Sequence, residues 1–297
     1  MTGRYRTTGG KVPAPPASVI APRLSTDGGK YPYAPAYLVK TRTAVRPQAI
    51  PSLGTVRPLV LAIDFATRAA SPVAYRPLLG DRFYGAGASL ASYWAETSVG
   101  RLTVSGSVAD INPGVIAPAA SGWLTASPSA SNNTGTFNSP VSDPNSIQGV
   151  SVGNVEAMLR SAIAYLDNTS FANVQFRNYR RSPTDNTLTV IIVHPGYGQE
   201  DSGNSSDPYS HSAPLTQPIP TRDGSVVTDY TLVPSLQFYN DTEDNHGAAG
   251  WITNIANDRL IGVGVIAHEM GHLLGLPDLY PTAAGDQGQA LADYSGV

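Results

Sequence analysis

The chain has 297 residues, of which 41% are hydrophobic and 14% charged, with a formal net charge of −3. That length suffices for one large domain, or one domain with an irregular extension. The charge balance offers nothing to nucleic acid or an anionic membrane, no stretch approaches a membrane span, and without cysteine there is neither a disulfide framework nor a thiolate metal site.

Residues 1 to 55 carry Pro13, Pro15, Pro16, Pro22, Pro32, Pro35, Pro47 and Pro51 with Gly9, Gly10, Gly28 and Gly29. Such a segment sustains neither a helix nor a central strand, so an extended N-terminal arm is expected. Its functional alternative is a latency segment covering a cleft. The start, Met1 to Arg6, is not followed by an apolar run, so no signal peptide is visible there. Residues 56 to 297 are expected to form one domain.

Within it, Pro58 to Phe65 is a nearly continuous apolar run and reads as a buried strand. Gly87 to Glu96 reads as a helix with Leu90, Tyr93 and Trp94 on one face, stopped by Gly100. Arg101 to Val108 alternates as a strand with one buried face. Residues 111 to about 150 are rich in Pro, Ser, Asn and Gly and predict a long surface loop. Val155, Met158, Leu159, Ala162, Ile163 and Leu166 recur at helical spacing, with Asn154 or Ser151 as caps. Thr187 to Val193 is β-branched and apolar throughout, hence a strand. A polar loop reaching to His211 follows, then a strand over Ser225 to Val233. Asp258 is expected to cap a last helix from Arg259 to Leu274. Strands alternating with helices up to one buried helix imply an α/β fold with a twisted, mostly parallel sheet.

That last helix carries the chemistry. His268 and His272, four residues apart, project from one face about one turn apart and can share one zinc ion. Glu269 can reach a water at the metal as general base. Gly275 can take the left-handed conformation that ends a helix, and Pro277 prevents its continuation, so Asp278 is the first residue able to offer a third ligand. A Glu and two His in an apolar helix are costly without a partner such as a metal, which favours the site over a chance match.

Other candidates are less constrained. His194 stands where a strand ends and His211 near a loop end, so either could face the cleft, as could His246; the alternative for each is a surface or hydrogen-bonded histidine. Tyr280 could hydrogen-bond an oxyanion or simply pack. Glu200-Asp201 and Asp241 to Asp244 could supply oxygens to calcium, although neither shows the regular D-x-D-x-D-G loop.

His268-Glu269-Met270-Gly271-His272-Leu273-Leu274-Gly275-Leu276-Pro277-Asp278-Leu279-Tyr280 closely resembles the immune inhibitor A family of secreted bacterial zinc metallopeptidases. Three upstream stretches are similar too: Ser89 to Gly106, Val193 to Glu200, and Tyr209 to Ser212. The resemblance implies a metzincin-like catalytic domain, one catalytic zinc, secretion, and cleavage of peptide bonds in proteins. In the related snapalysin pattern an aspartate replaces a third histidine ligand, and that role falls on Asp278. The family's acidic loop before the central strand is replaced by Arg177 to Asn186, with one acidic residue, so calcium is not expected there. Metzincins also carry a methionine turn after the third ligand. The methionines here are Met1, Met158 and Met270, so a chain ending before that element is expected.

The expected function is therefore that of a monomeric zinc endopeptidase, with His268, His272 and Asp278 on the metal and Glu269 as general base. A non-catalytic or truncated domain acting as a binding module is the alternative, and a zinc hydrolase with a non-protein substrate is a third.

Overall fold

The two apolar runs expected as strands lie side by side at the centre of a sheet, buried on both faces. A computed structural model describes residues 52–70, 74–115, 122–129, 135–147, 152–182, 184–202, 207–238 and 258–276. In chain order its strands and helices begin with β1 (Gly54–Val56), β2 (Leu59–Phe65), α1 (Arg76–Tyr84), α2 (Leu90–Thr97) and β3 (Leu102–Val104). Then come β4 (Leu124–Ser127), β5 (Thr136–Asn138), α3 (Val152–Leu166), β6 (Arg180–Ser182), β7 (Asp185–Leu188) and β8 (Val190–Tyr197). The single-turn α4 (Gln199–Ser202), β9 (His211–Pro220), β10 (Val226–Phe238), β11 (Asp258–Leu260) and α5 (Val263–Leu273) complete the set. The expected arm over residues 1 to 55 lies outside the described residues, save for its last four.

The sheet runs β5-β4-β2-β8-β10-β7-β6, with β9 and β11 also paired to β10. The pairs β5–β4, β4–β2, β2–β8, β8–β10 and β10–β7 are parallel. Strands β9 and β11 run antiparallel to β10, and β6 antiparallel to β7. The protein is thus mixed α/β with a mostly parallel sheet. Parallel strands need both faces covered, and β2 and β8 accordingly read as unbroken buried runs rather than alternating ones.

Strand alternation divides the core in two. Leu59, Leu61, Ile63, Val190, Ile192 and Leu232 face α3, whose Val155, Met158, Leu159, Ala162 and Ile163 fill that side. Val60, Ala62, Ile191, Val193 and Val233 face the opposite way, toward Leu79 and Phe83 of α1, Leu90 and Trp94 of α2, and Ile266 and Met270 of α5. The helix carrying the histidines therefore packs on one face of the sheet and the longest described helix on the other.

Several elements differ from expectation. The strand expected over Arg101 to Val108 is ordered as a strand only at Leu102–Val104, paired with β1. The loop expected over residues 111 to 150 contains β4 and β5, which extend the sheet beyond β2. Asn112 supports that extension: its side chain accepts from Ala62 N at 3.0 Å and donates to the carbonyls of Ala62 and Gly122 at 2.9 and 2.8 Å. Helix α1 was not foreseen, because Pro77 and Gly80 weaken its signal. Pro77 is tolerated in the first turn, where its missing N–H has no intrahelical partner. Gly80 is needed, since a Cβ there would come within 2.8 Å of Val108 Cβ. Asn154 lies inside the first turn of α3 and donates to Ser146 O instead of capping; Ser151 lies outside the described residues.

Two corrections concern the later part. A ten-residue antiparallel strand, β9, begins at His211, where the expected polar loop ends, and fills the stretch left unassigned before Ser225. Helix α5 begins at Val263 rather than Arg259, and Gly262 is its N-cap without a side-chain cap. Residues 258 to 260 form β11 instead, because Leu236 to Phe238 offer them ladder partners.

Leu61 is fully buried and Leu53 is 61% exposed. Leu61→Ala is expected to lower unfolding free energy by about 2–5 kcal/mol in urea titrations, and Leu53→Ala by under about 0.5 kcal/mol.

Candidate metal centre

Helix α5 is apolar on most sides, with Val265, Ile266, Ala267, Met270 and Leu273 buried. Its polar side chains gather on one flank near the C-terminal end. His268 Nε2 and His272 Nε2 stand 3.2 Å apart, and Glu269 Oε1 is 3.9 Å from His268 Nε2. Among the described residues, these three form the one group whose potential ligand atoms converge, all within 4.8 Å. Glu269 and His272 are buried, while the His268 side chain keeps 19% exposure.

The end of the helix explains how His272 is held. Gly275 adopts φ 83°. Its N–H donates to His272 O at 3.0 Å, and Leu276 N–H donates to Gly271 O at 3.0 Å. This pair of bonds is the Schellman motif, which satisfies helix carbonyls that would otherwise be orphaned. The reversal brings Leu276 O to 3.0 Å from His272 Nδ1. A carbonyl can only accept, so Nδ1 carries the proton and Nε2 presents its lone pair toward His268.

That arrangement fits a zinc ion. Two imidazole nitrogens at zinc distances of roughly 2.0–2.1 Å in a tetrahedral shell lie about 3.3 Å apart, close to the spacing present here. Glu269 Oε2 is buried and has no hydrogen-bond partner. An orphaned carboxylate oxygen inside a protein is costly, and a cation or a water beside it would remove the deficit. Asp278 and Tyr280, the expected third ligand and oxyanion donor, lie outside the described residues, as do His246 and Asp241 to Asp244.

His194 and His211 do not join the centre. By alternation they share the sheet face of Ile192, Ala213 and Leu215, which packs on α3, opposite α5. His194 is fully buried, its Nδ1 at 3.1 Å from Pro195 O, and burial pushes its pKa down to about 3. His211 Nδ1 lies 2.8 Å from Tyr209 O and its Nε2 3.0 Å from Tyr230 Oη. Both thus take the hydrogen-bonded alternative weighed for them.

A residue singled out for calcium takes a different place. Glu200 opens α4, and its two carboxylate oxygens accept from the Oγ and backbone N of Ser210, the latter at 3.1 Å. Gly198 makes room for it, since a Cβ there would overlap the carboxylate. Burial raises the Glu200 pKa to about 7, the Ser210 bonds oppose this, and the charge of Glu269 adds to the rise. Ser210 immediately precedes β9, and within that strand Ser212 Oγ donates to Glu269 O at 2.7 Å. Neither serine stood out as a functional position in the sequence. The register of β9 on β10, which pairs Ser212 with Thr231, aims Ser212 at the helix.

Comparison with protein-family models and with curated proteins gave no match. No helix among the described residues is long and apolar enough to cross a membrane.

A carboxyl whose native pKa lies above its unfolded value holds its proton more tightly when folded. Its stabilising contribution is full below about 4.5 and lost as pH rises toward about 7. In metal-free protein, Glu200→Gln is expected to lessen the fall in unfolding free energy across that window. Identical pH slopes for the two proteins in urea titrations would remove Glu200 as its source.

Proposed function

We propose that this chain is a zinc-dependent endopeptidase with a metzincin-like catalytic domain. The observation that carries the reading is the convergence of His268 Nε2, His272 Nε2 and the Glu269 carboxylate at one end of a buried helix. The lone pair that Leu276 O fixes on His272, and the unpartnered Glu269 Oε2, add to it. His268 and His272 would hold the metal, with Asp278, two residues beyond Leu276, as third ligand. The resemblance of His268 to Tyr280 to the immune inhibitor A family supports a protein substrate and an extracellular setting.

When bound, zinc would supply Lewis-acid polarisation of the scissile carbonyl and a more acidic water. Glu269 takes the proton of the attacking water and delivers it to the departing amine, the two halves of general acid–base catalysis by one carboxylate. The side chain suits that task because its backbone is held in a regular helix between the two ligands and its buried Oε2 has no competing partner. His272, oriented through Nδ1, holds its ring still while the proton moves. The buried apolar flank of α5 limits water around the carboxylate, which strengthens its interactions.

Purified protein with stoichiometric zinc is expected to cleave casein, to stop when a chelator strips the metal, and to resume when zinc is restored. Glu269→Ala should keep its zinc yet lose about 10²–10⁴-fold in rate. Cleavage by that variant at the parental rate would end the proposed mechanism. Zinc binding without cleavage by the parent would leave a metal-binding module.

A further inference from the structure

The carbonyl of Glu269 has a partner outside its own helix. Ser212 Oγ on β9 lies 2.7 Å from Glu269 O and 2.7 Å from Thr231 Oγ1 on β10. Ser212 is 3% exposed and Thr231 is fully buried, so water does not compete for either hydroxyl. The direction of the chain follows from counting protons. The carbonyl only accepts, so the single Ser212 hydroxyl proton goes to Glu269 O, and Thr231 must donate to Ser212. Ser212 and Thr231 are also directly paired in the β9–β10 ladder, so the register of the sheet sets the relay.

We infer that Ser212, oriented by Thr231, is a positioning residue for the metal centre. It ties the peptide group of Glu269 to the sheet and so fixes the rotation and depth of α5. The inference rests on the reading of the site as a zinc centre. Apolar contacts such as Ile266 and Met270 hold the helix on the sheet, but burial is non-directional and tolerates small rotations. Side-chain tips stand roughly 6 Å from a helix axis, so a turn of about 20° would displace them by about 2 Å. A displacement of even about 1 Å at reacting groups can lower a rate about 10²-fold. A directional bond at residue 269 itself, between the two histidines, is placed where it restricts that rotation most directly.

The test compares the full chain with Ser212→Ala, Ser212→Thr, Thr231→Val and the Ser212→Ala/Thr231→Val double variant. Zinc affinity is measured by competition with a chromophoric chelator, kcat and KM on a casein-derived peptide, and Tm on zinc-free protein. Ser212→Ala is expected to weaken zinc binding about 10-fold and lower kcat about 10–100-fold, with KM within about twofold. Ser212→Thr, which keeps the hydroxyl, should recover both. Thr231→Val should lose about threefold, and the double variant no more than Ser212→Ala alone, as members of one relay do. Parental zinc affinity and kcat in Ser212→Ala would overturn the role, as would a loss that follows Tm and that threonine does not rescue. A parent that binds zinc but cleaves nothing would overturn the peptidase reading alone, with zinc affinity still deciding Ser212. A parent that binds no zinc would overturn both.

Discussion

The last carbonyls of α5 need donors within one turn, and the chain meets that need by reversing at Gly275. A β-carbon at φ 83° would cost about 1–2 kcal/mol, so the position selects glycine. The reversal then does something a plain helix end would not. It returns the backbone under His272, and Leu276 O settles which ring nitrogen of His272 bears a proton. The lone pair on His272 Nε2 follows from that backbone turn, and helical spacing brings it beside His268. The local constraint is satisfied before any tertiary contact is considered.

The tertiary structure supplies what the turn cannot, a rigid floor. Parallel strands β2, β8 and β10 form the middle of the sheet and carry apolar side chains on both faces. One face is filled mainly by α3 and carries the hydrogen-bonded His194 and His211. The other supports α5, and β9 brings the Ser212 hydroxyl to it. The two-residue alternation of the strands thus puts the α3 core on one face and the His-Glu-His cluster of α5 on the other. His211 and Ser212 are neighbours in sequence and fall on opposite sides of that division.

Much of this was legible in the residues. His268, Glu269, His272 and Gly275 state their geometry through helical spacing and a glycine at the stop. The strands β2, β8 and β10 and the helix α3 announce themselves by long apolar or periodic runs. Short elements were not legible. Strands β4 and β5 have three or four residues each, too few for periodicity to rise above a background of Ser and Gly, and they pair only because β2 offers an edge. Helix α1 hides behind Pro77 and Gly80, each acceptable for a reason that lies in its surroundings. Strand β11 took residues expected in a helix because β10 supplied partners. His194 and His211 were drawn toward the cleft by their place in the sequence. Which sheet face a side chain takes depends on register, and register is a property of two strands at once.

The two glycines that follow Glu269 are under unlike demands. At Gly275 the backbone itself excludes other residues. At Gly271 the conformation is helical, and a methyl group would rest 3.5 Å from Leu276 Cδ1 and 4.0 Å from Trp94 Cη2, ordinary contact distances. Alanine fits that slot and favours the helix more than glycine does. Alanine can therefore take the place of the first glycine, while the second stays glycine. A motif H-E-x-x-H-x-x-G that admits alanine at 271 and only glycine at 275 follows the physics more closely than one that weighs both glycines alike.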